Sequence, residues 1–498
     1  MFASNSIEQK LDVKVAVSSS MDNAIQLWKD MYENNPPWAA DGNAICTNIP
    51  ATIAEEMSRL ILTEYNLLID GSERADYIYE QVLRELKNID QYLESLCAKG
   101  GIVFKPYVYQ GLNGEYQIEI DVVEADRFYP TEYNSKGEIA SAVFTQSKRQ
   151  GEYLYTRLEY HEFKGNSVTI TNKAYRSERI VTYKDDDDET TSVRTPFNAE
   201  VPLAEVVEWR SLSQEPVTIE NLQEPLFVYI KTPKKNGVDA SSPLGVSVYS
   251  KAIELLREAD KQFGRIVWEY EATEAAIHVG EEYLQSDKHG NPILPEGKER
   301  LYRAFDSTGG MNSSALFDVY GPQIRDTSLY NGWNRLLKRI EWNVGLAYGT
   351  ISDPDAVEKT ATEILSSKQR SYRTIRRMQQ QIEDGILHLI DSIEVLCDLY
   401  EIVPSGEVNV SCQWGDGVLE DTEKEYQRRW AMVVAGKLDP VKFMAWYFKC
   451  DEKTAAELMP QKTEDEFGMF GQIATQKKET EEEQEEPVDE EENEETEV

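Results

Sequence analysis

Residues 360–400, TATEILSSKQRSYRTIRRMQQQIEDGILHLIDSIEVLCDLY, carry the strongest period in the chain and organise everything around them. Ile364, Ile375, Met378, Ile382, Ile386, Leu389, Ile393, Leu396 and Tyr400 fall on one narrow stripe at 100° per residue. That spacing predicts a helix of about 40 residues, near 60 Å long at a 1.5 Å rise. Thr360 and Glu363 have the spacing of a capping box, in which a hydroxyl and a carboxylate satisfy reciprocal amides at a helix start. A pattern this long implies partner helices or a quaternary role. Its period is 3.6 rather than a strict 3.5, which counts against a plain coiled coil.

Upstream, 349–358 reads as a loop from its Gly, Pro and Asp content. Before it, Leu329, Leu336, Ile340, Val344 and Ala347 predict a helix over 328–348, with Arg335 and Lys338 on the other side. The stretch 285–322 is punctuated by Gly290-Asn-Pro292, Pro295, Gly297, Gly309-Gly310 and Gly321-Pro322, and predicts a small inserted α/β or β unit. Tyr249, Ile253, Leu256, Phe263, Val267 and Tyr270 form an apolar stripe interrupted by Asp260, predicting a helix of about 30 residues.

The first 240 residues mix types. Apolar positions from Ile53 to Leu68, and again from Tyr77 to Leu96, recur at helical spacing and predict two amphipathic helices. Strands follow at 101–109, 116–123, 140–144, 152–160 and 167–171, rich in aromatic and β-branched residues and separated by Gly and Asn turns. The acidic run 185–189 reads as a hairpin tip. An α+β domain with an antiparallel meander is expected. After the long helix come a strand at 408–412 and three short helices, at 422–435, 439–448 and 451–459. Residues 479–498 contain 13 acidic and no basic residues, a self-repelling block expected to stay disordered.

Composition removes several function classes. With 52 Lys and Arg against 90 Asp and Glu, the net charge of −38 is wrong for wrapping DNA by counterion release. Five scattered cysteines without a Cys-x-x-Cys pair indicate neither a disulfide framework nor zinc, and suit a reducing cytoplasm. There is no signal peptide and no run of 18 apolar residues, so no membrane association is expected. Phosphate-binding glycine loops and nucleophile-elbow motifs are absent. His161, His278, His289 and His388 lack metal-ligand spacing. No catalytic constellation, cofactor or metal is expected.

One charged feature stands out: Lys368, Arg370, Arg373, Arg376 and Arg377, five basic residues in ten with no acid among them. Arg370, Arg373 and Arg377 project opposite the apolar stripe, to pair with acidic neighbouring subunits or to touch a polyanion weakly. Lys359, before the capping box, faces phosphate or decorates a loop.

The ordered set of segments resembles the portal proteins of tailed double-stranded DNA bacteriophages, of the siphophage type. The local matches are Gly345-Leu-Ala-Tyr-Gly-Thr-Ile-Ser352, Glu358-Lys-Thr-Ala-Thr-Glu363 and Tyr372-Arg-Thr-Ile375, with Gly100-Gly-Ile-Val-Phe-Lys-Pro-Tyr107 and Ala125-Asp-Arg-Phe-Tyr-Pro130 similar to the family's wing sheet. The resemblance implies a portal-type α+β fold forming a ring, of twelve copies in the virion, at one capsid vertex. Genomic double-stranded DNA would pass its axial channel during packaging and ejection. By position, 1–245 would be the wing, 246–284 and 326–349 the stem helices, 285–325 the clip, 350–359 the tunnel loop, 360–417 the long wing helix and return strand, 418–463 the crown and 464–498 an acidic tail. The tunnel-loop residues implied are Ile351, Ser352, Asp353, Pro354, Asp355, Val357 and Lys359, with Ile351 or Val357 facing the channel and Lys359 making a transient phosphate contact. Arg335 and Lys338 would be weaker phosphate contacts along the stem. Partners implied are further copies of the chain, double-stranded DNA, the terminase large subunit, major capsid and scaffolding proteins, and a head completion or adaptor protein. The place would be the virion, after assembly in the bacterial cytoplasm. Asp353-Pro354-Asp355-Ala356-Val357 departs from the more flexible, Gly-containing loop common in the family; Pro354 restricts φ there. An acidic wall suits a channel through which DNA must slide, since each tight phosphate contact would have to break at every step.

The competing reading is an acidic scaffold or adaptor of capsid assembly without a channel, its long helix making helix-pair contacts. An enzyme with an unrecognised carboxylate site is a third, with no substrate to suggest it.

Overall fold

The computed structural model describes residues 2, 4–40, 44–63, 65–111, 114–178, 181–185, 188–192, 196–280, 284–286, 292–293, 302–305, 317–353, 361–414, 422–448 and 455. The chain divides into two compact units, Met1–Leu419 and Glu420–Val498.

The first unit opens with two helices the sequence reading passed over, α1 (Ser4–Leu11) and α2 (Ser19–Tyr32). Met21, Ile25, Trp28 and Met31 of α2 are buried at helical spacing, and the Ser18 hydroxyl caps the Met21 amide. The stretch read as one helix to Leu68 is a helix and a strand: α3 (Ile49–Ile61), then β1 (Asn66–Asp70) with Leu67 and Ile69 buried and Leu68 exposed. The second is split into α4 (Glu73–Leu86) and α5 (Ile89–Lys99) around Asn88.

Next come β2 (Gly101–Gln110), β3 (Tyr116–Glu124), β4 (Phe128–Tyr133), β5 (Ile139–Gln150), β6 (Tyr153–Lys164), β7 (Ser167–Arg176), β8 (Val181–Asp185), β9 (Asp188–Ser192), β10 (Ala199–Val201), β11 (Val217–Glu220) and β12 (Val228–Lys231). The antiparallel meander is β4-β5-β6-β7, with β10 and β11 both on β7. Of the five expected strands only 140–144, 152–160 and 167–171 belong to it; 101–109 and 116–123 form a different sheet, and β4 was not expected. Of the acidic run, Asp185 at the end of β8 pairs with Asp188 at the start of β9, and residues 186 and 187 lie outside the described residues. A separate sheet of order β12-β2-β3 packs on the meander through Phe128, Phe144, Phe227 and Tyr229. Gly100 has φ of +90°, and a Cβ there would sit 2.7 Å from the backbone of Val246, so the chain crossing at 246 requires the glycine.

A buried ion cluster ties these two sheets together. Glu159 on β6 accepts from Lys105 on β2 at 2.7 Å, from Arg157 at 2.9 Å and from His161 at 2.8 Å. Burial raises the carboxyl pKa, and the Lys105 and Arg157 charges more than offset it, holding Glu159 well below the usual carboxylate range.

Helix α6 (Ile253–Ala272) is shorter than the expected 30 residues because 247–252 forms turns. Asp260, the break in its apolar stripe, is buried and accepts from Trp38 Nε1 at 2.9 Å and from the amide and hydroxyl of Thr47 at 3.0 and 2.7 Å. The inserted unit holds β13 (Ala276–Gly280), β14 (Gln285–Ser286), β15 (Pro292–Ile293), β16 (Tyr302–Phe305) and β17 (Phe317–Tyr320). β13 is parallel to β16 and antiparallel to β17, and β14 pairs with β15. Helix α7 (Asp326–Val344) packs on α6 through Phe263 and Trp333, and Arg325 forks onto the carboxylate of Glu269 at 2.9 and 2.7 Å.

Helix α8 (Ala361–Leu399) has 39 residues, about 58 Å at 1.5 Å each. Its stripe is covered by β2, β12 and helix α3 of the same chain. Ile375, Met378, Ile382, Ile386, Leu389, Ile393 and Leu396 are all buried, and a Cβ on Gly385 would strike Ile230 at 2.3 Å. The Thr360 cap and the side chain of Ile364 fall outside the description. The return strand β18 (Asn409–Gln413) pairs antiparallel with β1, Leu67 facing Cys412.

In the second unit, α9 (Thr422–Val434) ends at Gly436 with φ of +68°, and α10 (Pro440–Phe448) is capped by Asp439, whose carboxylate accepts from the Val441 amide at 2.8 Å. Tyr426, Trp430, Phe443 and Tyr447 pack between the two. The third expected helix and the acidic tail lie outside the described residues.

Candidate functional site

The segment joining α7 to α8 gathers most of the residues singled out by sequence. Gly345 ends α7 in the left-handed region at φ +98°, which a glycine adopts without strain, and the amides of Gly345 and Leu346 return to the carbonyl of Glu341 at 2.9 and 3.0 Å. The chain then folds back over α7. The buried Glu341 carboxylate accepts from the amides of Gly349 (3.1 Å), Ile351 (2.8 Å) and Ser352 (2.9 Å) and from the Ser352 hydroxyl (2.9 Å). Asn334, two turns earlier, accepts from the Asp353 amide at 2.9 Å and donates to its carbonyl at 3.3 Å.

This places the loop residues as follows. Ile351 is half-buried against the main core, Ser352 is buried on Glu341, and Asp353 is exposed. Pro354, Asp355, Val357 and Lys359 lie outside the described residues. Arg335 is exposed and Lys338 half-buried on α7, the same helix that carries Asn334 and Glu341.

Arg370, Arg373 and Arg377 come together. With Gln369 and Thr374 they line a pocket of about 290 Å³ on the outer face of α8. Arg370 also turns inward. Its guanidinium stacks 3.6 Å from the ring centre of Trp342 and donates to the Trp342 carbonyl, so α8 grips the last turn of α7. Arg373 and Arg377 remain exposed.

Lys234 fastens the same junction. Its ammonium donates to the carbonyls of Val248 at 2.6 Å and Val344 at 2.9 Å, the latter at the C-terminus of α7. Burial, helped by the Lys251 and Arg370 charges, pushes its pKa down to about 8. Sequence reasoning missed Lys234, Trp342 and Glu341. The only signal for Glu341 was an acid four residues before one glycine and eight before another, and in a chain with 90 acids that is faint.

Nothing described here resembles a reaction centre. Among the described residues no group of three or more His, Cys, Asp and Glu could hold a metal ion, and no helix is long and apolar enough to cross a membrane. His161 is a core residue, packed against Phe144 and bonded to Glu159. Cys46, Cys97, Cys397 and Cys412 are free thiols, and Cys450 lies outside the described residues.

Comparison with curated proteins finds no match. A family model described as "Phage portal protein, SPP1 Gp6-like" matches residues 19–486, all but the first 18 and last 12 positions. Proteins of that family are structural, non-enzymatic connectors of the phage capsid vertex, which associate with capsid and terminase as oligomeric rings. A match over nearly the whole chain, on a mixed α/β architecture of this element order, makes the chain a member of the SPP1 Gp6-like phage portal protein family.

Proposed function

We propose that twelve copies of this chain form a closed ring at one vertex of the capsid, and that its axial channel passes genomic double-stranded DNA inward during packaging and outward during ejection. The observation that carries this is the family match over residues 19–486. The order α6, inserted β unit, α7, 345–360 segment and α8 supports a division into stem (246–284 and 326–349), clip (285–325), tunnel loop (350–359) and long wing helix. Residues 1–245 and 360–417 would build the wing, and 418–463 the crown. The clip would dock the terminase large subunit during packaging and the head completion or adaptor protein afterwards. Major capsid and scaffolding proteins would meet the ring during assembly in the host cytoplasm. DNA contact would be transient and independent of sequence: the net charge of −38 disfavours tight phosphate binding, and the motor's ATP chemistry belongs to the terminase.

The test is electron microscopy of the purified chain with mass determination in solution. Closed rings with a central hole and about a dozen subunits are expected. A stable elongated dimer under all scaffold and salt conditions would overturn the ring and favour the adaptor reading. For the loop, Lys359→Glu should leave rings intact and impair packaging or retention of DNA. Unchanged packaging at both low and physiological salt would remove Lys359 as a phosphate contact.

A further inference from the structure

Glu341 has no solvent exposure, in a chain whose carboxylates are mostly solvated. A buried carboxylate is costly unless charge-assisted hydrogen bonds replace its water. Here the replacing donors come from one short run, three backbone amides and one hydroxyl between Gly349 and Ser352, all within 3.1 Å. Successive amides converging on one anion make a nest, formed here around a side chain of the preceding helix. Asn334 adds a second grip on the same face of α7, about 10.5 Å away along the axis at 1.5 Å per residue, by pairing in both directions with the backbone of Asp353. The segment's own turn adds the Thr350 amide and hydroxyl on the Ala347 carbonyl at 3.3 and 2.7 Å and the Gly349 amide on the Ser352 hydroxyl at 3.2 Å, but none of these ties the segment to α7.

We propose that Glu341 is the positioning residue of the 350–359 loop: its carboxylate fixes residues 349–353 onto α7, so the root of the loop keeps the position and direction of that helix. A shift or rotation of α7 is then delivered to residues 349–353 without slack while the clamp holds. The functional side of this rests on reading 350–359 as the loop that faces the channel.

Hydrogen exchange of the full chain, read by mass spectrometry on peptides spanning 346–353, tests the clamp without any assumption about DNA. In the wild type the amides of Gly349, Ile351, Ser352 and Asp353 should exchange slowly. Exchange there at the rate of open coil would overturn the proposal before any variant is made. Glu341→Gln keeps the shape but turns one acceptor into an NH2 group facing N–H donors. It should speed exchange of the first three amides by at least about tenfold, the equivalent of one charge-assisted bond, while peptides from β5 and β6 stay unchanged. Asn334→Ala, a milder change, should speed only the Asp353 amide. Unaltered exchange in both variants would sink the clamp. DNA packaging with each variant separates the two ideas. Lost protection with reduced packaging is the expected result. Lost protection with normal packaging would overturn the loop's role in the channel and leave the clamp standing.

Discussion

Glu159→Gln is the perturbation whose cost follows most directly from the structure. Glu159 is the common acceptor of a cluster joining the β12-β2-β3 sheet to the meander, with Lys105, Arg157 and His161 as donors. Lys105 and Arg157 are both buried, at 3% and 8% exposure. Removing one member of a buried ion cluster costs about 3–5 kcal/mol because the partner charges stay behind. Asp121 remains 3.3 Å from Lys105, so the greater loss falls on Arg157, and the lower end, about 3 kcal/mol, is expected. That is a sizeable part of the roughly 5–15 kcal/mol that stabilises a folded domain. The assay is urea unfolding followed by tryptophan fluorescence at pH 7.5, then repeated towards acid. The sign of the pH effect is fixed by the directions of the shifts. Glu159 is held well below its ordinary value, so its contribution is present above the unfolded-state pKa near 4.3 and is lost as pH falls through the folded value. Burial lowers the His161 pKa as well, more than Glu159 raises it, so protonation in the unfolded state starts to erode stability below about pH 6.5. The wild type should therefore lose stability in two stages on acidification, and the second should be shallower in the variant, where Asp126 and Glu124, also held below their ordinary values, still contribute to it. A Glu159→Gln midpoint equivalent to less than about 1 kcal/mol from wild type, or a deficit that stays constant down to pH 3, would refute the reasoning.

Other substitutions test the junction around the candidate site. Gly345→Ala places a side chain at φ +98° with its Cβ 2.8 Å from the Thr374 hydroxyl, and should cost about 2–3 kcal/mol in a thermal or urea melt; a neutral result would mean the α7–α8 junction is not close-packed in solution. Arg373→Glu with Arg377→Glu reverses two exposed charges, each worth only about 0.2–1 kcal/mol in a single pair but repeated around a ring. Mass photometry should show fewer rings and more monomer at low salt with an unchanged melting profile; an unaltered ring population would show that these arginines do not bind a neighbouring copy. Deleting 479–498 removes 13 negative charges and no apolar segment, so the melting temperature should not change; a lower one would make the tail structural.

How far the sequence was legible depended on where each element's partners lie. Helix α8 could be read in full because its stripe is local and runs for ten turns. β5, β6 and β7 of the meander could be read because each pairs with the next one along the chain, while β4 was not. β1 was misread as the end of a helix: Leu67 and Leu68 fit either period, and the strand that decides between them, β18, lies more than 300 residues away. α4 and α5 merged because the break at Asn88 keeps the helical phase of the apolar residues. α2 went unread although Met21, Ile25, Trp28 and Met31 have helical spacing; the signal was there. At the candidate site, Arg370, Arg373 and Arg377 were found as a cluster, but the inward turn of Arg370 onto Trp342 depends on α7 and α8 meeting, which spacing alone does not encode.

The acidic residues make the same point more sharply. With 90 Asp and Glu, no single carboxylate is conspicuous in the sequence, and the bulk of them keep the surface negative. A handful are buried or nearly so, and each pins together segments distant in the chain or in conflict with a regular element. Asp260 holds Trp38 and Thr47 to α6. Asp126 holds Lys29 of α2 and Lys99 of α5. Glu269 receives Arg325 across the inserted β unit, Glu159 joins two sheets, and Glu341 turns the chain back over α7. Where the partner is itself buried, as for Asp126, Glu159 and Glu341, breaking the pin leaves a desolvated donor or charge and costs more than a surface pair; Arg325, the partner of Glu269, stays in water. The pins also sort by what they hold. Glu159 and Asp126 pin cations inside the N-terminal α+β body, and their loss should soften the platform. Glu341 is bonded almost wholly to backbone amides of the loop root, so its loss should change where the loop points before it changes whether the protein folds.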